Sequence, residues 1–175
     1  MKQLTSTELK RLHRSWRKEE PPRLALLLEG LGGPFNLGAI LRTAAAYRLA
    51  HLYLAAMQIN PSSTNVGKTA LGSDRFVPTS EYEDLESALA AARGDGYSIV
   101  GLELADQAVP IHEADLTGPT CLVIGHEDRG LSKTALAECD SVVFLPQLGR
   151  IGSLNVATAT SIALYEARRQ VFADR

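Results

Sequence analysis

Long apolar runs are missing from this chain of 175 residues, and so is any cysteine-rich stretch. A membrane-spanning helix needs about 20 consecutive apolar residues, and no run approaches that length. The first residues are polar and basic with no apolar segment behind them, which predicts no secretory signal. The two cysteines, Cys121 and Cys139, lack metal-ligand spacing and neighbour apolar runs, so they are expected to be reduced core thiols. No metal site is expected. Internal repeats and low-complexity tracts are also absent. These absences predict a cytoplasmic globular protein held together by its core. The 45% hydrophobic and 22% charged fractions are ordinary for that class, and the length suits one domain.

The net charge of −2 conceals an asymmetry. Residues 1–23 carry seven Lys/Arg against three Glu, whereas the remainder carries eleven against seventeen Asp/Glu. Thr5 and Glu8 fit a capping box, and Leu9, Leu12 and Trp16 recur at helical spacing. The spacing predicts a short amphipathic helix with a basic face. Two readings stay open, an ordinary solvated face and a nucleic-acid arm that contacts phosphates. Residues 1–22 are therefore read as a basic helical arm and residues 23–175 as the main domain.

Beyond Pro21-Pro22 the pattern alternates between apolar strand-like runs and helices. Strands are expected at Leu24–Leu28, about Leu52–Ala55, Phe76-Val77, Tyr97–Leu102, Cys121–Ile124 and Val142–Leu145. Helices are expected at Ala39–Tyr47, near Val66–Leu71, and over Tyr82–Arg93, Ser132–Glu138 and about Asn155–Val171. Residues 103–118 read mostly as loop. The alternation argues an α/β fold with a mainly parallel sheet covered by helices on both faces.

Several fragments imitate known sites and fail on spacing. Val66-Gly-Lys-Thr69 lacks the glycine that a phosphate-binding loop needs, because that position is Ser62. His126-Glu127 would need a second histidine at Gly130 to bind zinc on a helix. Leu31-Gly-Gly33 lacks the further glycine of a dinucleotide fingerprint. His13, His51 and His112 are isolated.

Three other stretches fall where apolar strands give way to loops or helix starts, the places where α/β proteins collect ligands. They are Asn36–Thr43, Ile124–Gly130 and Leu145–Val156. In the second, Ser132 is placed to cap the helix that follows. In the third, Pro146, Gly149 and Gly152 predict a tight loop with unusual dihedrals. Such loops can wrap an adenine and a ribose through backbone hydrogen bonds, with Leu145 and Leu154 as apolar walls.

Together the stretches resemble the signature motifs of the SpoU/TrmH branch of the SPOUT RNA methyltransferases. The first supplies N-x-G-x-x-x-R-T as Asn36, Gly38, Arg42 and Thr43. The second supplies G-x-E-x-x-G-L as Gly125, Glu127, Gly130 and Leu131. The third supplies Leu145, Pro146, Ser153, Leu154, Asn155 and Val156, and the similarity runs over roughly residues 23–170.

The resemblance implies an S-adenosylmethionine-dependent transfer of a methyl group to a ribose 2′-hydroxyl in RNA. It also implies a C-terminal trefoil knot, which topology rules alone argue against, and a homodimer. By motif position, Leu102, Gly125, Leu145 and Leu154 are the expected cofactor-binding residues. Arg42 matches the catalytic arginine, with Asn36, Glu127, Ser153 and Asn155 around it. Asn36 is also a candidate helix cap.

A guanidinium keeps its proton at any working pH and is a poor general base. The resemblance is therefore read with a charged Arg42 that binds RNA phosphate and stabilises the developing alkoxide. The basic arm resembles that of tRNA-modifying members, which makes tRNA the expected substrate. The alternatives are an rRNA enzyme, including a resistance type, and an RNA-binding module without catalysis. Gly152 departs from the Gln or Glu frequent in relatives, on the substrate side of the third motif.

Overall fold

A computed structural model describes residues 1–18, 21 and 23–172. The strands are β1 (Leu24–Glu29), β2 (His51–Ala55), β3 (Thr79–Tyr82), β4 (Ser98–Leu102), β5 (Val109–Pro110), β6 (Thr120–Ile124) and β7 (Ser141–Phe144). The helices are α1 (Ser6–Trp16), α2 (Pro34–Ala46), α3 (Thr64–Ala70), α4 (Leu85–Gly94), α5 (Lys133–Glu138) and α6 (Val156–Phe172). The strands form one seven-stranded sheet ordered β3-β2-β1-β6-β4-β7-β5, and every pairing in it is parallel. The expected α/β class is what the chain adopts.

Strands covered on both faces must be apolar on both, and β1 is, as Leu-Ala-Leu-Leu-Leu-Glu. Leu24, Leu26 and Leu28 join one core with residues of α2, α3 and α6. Ala25 and Leu27 join the other, with residues of α4 and α5. Each fully buried Leu stabilises by roughly 1.5–3 kcal/mol. Cys121 lies in the second core with Cys139 packed against it. Both are free thiols, and burial pushes the Cys139 thiol up to about 11.

Helix α2 packs closely on α3 because Gly38 has no side chain; a Cβ there would lie 2.7 Å from the Val66 carbonyl oxygen. Helix α6 is held to α2 by polar links. The Thr43 and Ser161 hydroxyls meet at 3.0 Å. The buried Arg168 guanidinium donates to the carbonyls of Tyr47 and Arg48, each at 3.0 Å. Those carbonyls are at the end of α2, where a cation also complements the helix dipole.

Several boundaries differ from expectation. Helix α2 begins at Pro34, not Ala39, with Gly33 at its N-cap. Asn36 is therefore inside the first turn and does not cap. The Phe76-Val77 strand does not form. Asp74–Phe76 is a 3-10 turn, and the strand starts beyond Pro78 at Thr79, since proline cannot donate to a ladder. Tyr82 ends that strand, and α4 starts only after Asp84, whose carboxylate accepts the Ser87 N–H at 2.7 Å. The stretch read as loop contains β5, paired with β7 at the sheet edge.

The capping box of Thr5 and Glu8 is formed on α1, which buries none of its residues. Trp16 meets Phe172 of α6 edge-on, with ring centroids 5.3 Å apart. The proposed boundary of the arm at Pro22, and the acidic pair Glu19-Glu20, lie outside the described residues, as do residues 173–175 at the end of the proposed domain. Among the described residues, no helix is long and apolar enough to cross a membrane.

Candidate active site

Because the strands are parallel, the C-terminal ends of β4, β6 and β7 open on the same edge of the sheet, where α/β folds bind ligands. A cleft of about 320 Å³ lies there. Its apolar walls include Leu102, Ile124, Phe144, Leu145, Leu154 and Val156, and Gly125, Glu127 and Ser153 also line it. All of Leu102, Gly125, Leu145 and Leu154 are thus brought to one cleft.

The floor is a tight backbone crossing. A Cβ on Gly125 would lie 2.1 Å from the Gly130 carbonyl carbon, and Gly130 itself turns with φ +65°. His126 and Gly130 exchange backbone hydrogen bonds of 3.1 and 2.9 Å across the loop. The motif glycines are therefore required by close approach and by a left-handed turn. The other loop behaves differently from its expected tightness. Gly149 and Gly152 have nothing within 4 Å of a would-be Cβ, and neither has a positive φ.

A polar network joins all three motif stretches. The Glu127 carboxylate accepts the N–H groups of Gly32 (3.1 Å) and Gly33 (2.7 Å) and the Asn36 amide (3.0 Å). The Asn155 side-chain amide donates to Asn36 Oδ1 at 3.0 Å. Asn155 Oδ1 in turn accepts the N–H groups of Ala157 and Thr158. Asn155, not Asn36, is thus the capping asparagine, and it ties the start of α6 to α2. Burial pushes the Glu127 carboxyl up, but donation from Asn36, Gly32 and Gly33 more than offsets it and holds the group below the usual carboxylate range.

Arg42 is outside this network. It is exposed on α2 and makes no hydrogen bond or ion pair among the described residues. It lies six positions after Asn36, on the helix the network orients. Ser153 is exposed at the cleft rim. Among the described residues, no group of His, Cys, Asp or Glu is placed to hold a metal ion.

Further side chains that the motifs do not single out also line the cleft, among them Glu103, His126, Asp128, Arg129 and Gln147. The Gln147 Oε1 atom is buried without a hydrogen-bond partner. Glu103 directly follows Leu102, which was the only available signal. The His126 Nδ1 accepts the Asp128 N–H at 3.0 Å, which fixes the ring's orientation.

The sequence pattern of the SpoU rRNA Methylase family matches residues 23–165. The chain belongs to this family. The SpoU match takes in all three motif stretches and every strand of the sheet. A tRNA (guanosine(18)-2′-O)-methyltransferase of Thermus thermophilus is 34% identical over 97% of this chain and 86% of its own length. The enzyme of that name in Escherichia coli is 34% identical over 85% of this chain. This SpoU-family chain spans only 64% of that relative's length. Among solved structures, an AdoMet-bound rRNA methyltransferase of Sinorhizobium meliloti superposes with a TM-score of 0.81 at 31% identity, over 87% of this chain and 58% of the other. The TrmH/SpoU tRNA-modifying enzyme of A. aeolicus gives 0.79 at 30% identity over 95% of this chain and 85% of the other.

Proposed function

We propose that this SpoU-family chain transfers a methyl group from S-adenosylmethionine to a ribose 2′-hydroxyl of RNA, with tRNA as substrate. The observation that carries the reading is the single cleft at the ends of β4, β6 and β7, with the Asn36–Glu127–Asn155 network at its side. The residues fit an adenosyl group. The cleft is walled by leucines, the Gly125–Gly130 crossing places main chain without side chains at its floor, and the buried Gln147 Oε1 needs a donor. When bound, the cofactor supplies an electrophilic methyl group.

The chain's own residues have separable parts in this reading. Leu102, Gly125, Leu145 and Leu154 hold the cofactor. Glu127 and Asn155 fix Asn36 and the first turn of α2, so the charged Arg42 is presented from a rigid helix. The Arg42 guanidinium binds RNA phosphate and stabilises negative charge developing on the 2′-oxygen. Ser153 contacts the substrate from the rim.

The match takes in 86% of the Thermus tRNA enzyme but 63% of a Pseudomonas syringae 23S rRNA enzyme that is 36% identical, and this difference in length supports tRNA over rRNA. Residues 1–22 would serve as the phosphate-contacting arm and residues 23–175 as the methyltransferase domain. The placement of β6 between β1 and β4, and of β7 between β4 and β5, supports the family's trefoil knot. Exposed apolar side chains on α6 (Ile162, Tyr165) and α1 (Leu9, Leu12) support a homodimer. The absence of a membrane-crossing helix among the described residues is consistent with work in the cytoplasm.

Incubation with labelled cofactor and total tRNA or rRNA, followed by nucleoside mapping, tests the reading. Label is expected in 2′-O-methylated nucleosides of tRNA. Label in rRNA alone overturns the substrate, and none in either favours a binding module. Arg42→Ala is expected to lower turnover about 100-fold or more while leaving S-adenosylhomocysteine affinity unchanged by calorimetry. Equal loss of both would assign Arg42 to cofactor binding instead.

A further inference from the structure

Of the carboxylates that line the cleft, Glu127 and Glu103 differ in their circumstances. Glu127 takes three donated hydrogen bonds from Gly32, Gly33 and Asn36. Glu103, at the end of β4, takes two: Leu104 N–H to Oε1 and Leu131 N–H to Oε2, each at 2.9 Å. An ionised carboxylate offers about four lone-pair sites, so each Glu103 oxygen keeps one to spare. These two bonds also fix the side chain. Its Oε2 lies 2.0 Å from where a Cβ of Gly130 would stand, directly beside the crossing that forms the floor. Glu103 is partly exposed and lines the cleft. It is thus an anion already held in place, with acceptor capacity left, in a cleft walled by leucines.

An acceptor so fixed calls for a ligand that brings hydroxyl or amine donors. A ribose presents two adjacent hydroxyls, and a carboxylate is the side chain that α/β nucleotide sites use to accept from such a diol. We propose that Glu103 accepts hydrogen bonds from the ribose diol of the bound adenosyl cofactor. This rests on the cofactor reading above. Glu103 then has two tasks: its inner lone pairs brace the Leu131 end of the loop, and its outer ones select a nucleoside with both hydroxyls. Charge-assisted hydrogen bonds of this type are the strong ones, so the loss should be large enough to measure.

A ligand-and-residue cycle separates the two tasks. Calorimetry would compare S-adenosylhomocysteine with S-(2′-deoxyadenosyl)homocysteine on the native chain and on Glu103→Gln. The native chain should prefer the full diol at least tenfold, and Glu103→Gln should reduce that preference to about threefold or less. Equal weakening of both ligands would mean that Glu103 only braces the loop and would overturn the proposal, as would an unchanged preference. 5′-Methylthioadenosine, which lacks the amino-acid part, provides a further arm. If Glu103→Gln weakens S-adenosylhomocysteine but not this compound, Glu103 contacts the ammonium group and the proposal fails. A native chain that binds none of the three overturns the cofactor reading and this inference together. Circular dichroism of Glu103→Gln, with melting, checks that the variant is folded.

Discussion

The two loops that close the cleft are built in opposite ways. The loop from Gly125 to Leu131 is braced at both ends. Its ends cross in backbone contact, His126 and Gly130 bond across it, and Glu103 accepts the Leu131 N–H. The loop from Pro146 to Gly152 has Leu148 fully exposed, Ile151 at 65% exposure and glycines with open space around them. A ligand thus meets one wall already set and another that can still adjust around it. Binding to the first costs little ordering, whereas closing the second must be offset by contacts made in the complex.

Breaking the braced loop should have the largest effect. Gly125→Ala places a Cβ inside the Gly130 backbone, where neither partner is a flexible side-chain end, and should destabilise the fold by about 3 kcal/mol. Denaturant unfolding would show this, and S-adenosylhomocysteine binding should vanish with it. A variant with native stability would mean that the crossing yields easily.

Next in size is Glu127→Gln. A carboxamide offers one acceptor oxygen to a site with three donors, so a donor faces a donor, at a cost of about 1–3 kcal/mol. The loss of stability should also appear with acid in the native chain. The folded Glu127 titrates below its unfolded value, so its stabilising effect is complete above the ordinary Glu pKa of about 4.3 and is lost as pH falls through the lower folded value. Unfolding free energies measured from pH 7 downward should fall less steeply in Glu127→Gln than in the native chain. Matching slopes would remove Glu127 from the acid response.

The smallest effect should come from the open loop. Gly152→Ala meets nothing and needs no left-handed dihedral, so it should stabilise by about 0.5 kcal/mol through the unfolded state. A clear loss of stability would show that this loop is as constrained as the other.

The same contrast governs how much could be read from the sequence. Gly125, Glu127 and Leu131 belong to a motif whose spacing is imposed by a rigid crossing, and the strand before it is an unbroken apolar run. Their grouping with Leu102, Leu145 and Leu154 was legible through the family resemblance, by motif position. The glycines at 149 and 152 carry no such constraint, and their expected tightness does not occur. Asn36 and Asn155 illustrate another limit. Both are good caps in isolation, and only the packing of α2 against α6 decides that Asn155 caps while Asn36 bridges to Glu127. Glu103 was silent because its partners, Leu104 and Leu131, are backbone groups. Strand order was illegible for a related reason, since pairings between distant segments depend on the whole core.

That strand order has a consequence for how the molecule comes into being. Strand β6 pairs with β1 on one side and β4 on the other, yet it begins only at Thr120. A nascent chain synthesised as far as Leu102 can align β1, β2 and β3 but has no centre to which β4 can attach. Assembly of the sheet must wait for the late strand to slot between two earlier ones, a long-range closure that slows folding. During that interval the leucines of β1 and the face of β4 are uncovered. Chaperone demand during translation should peak before residue 120 emerges and fall after it.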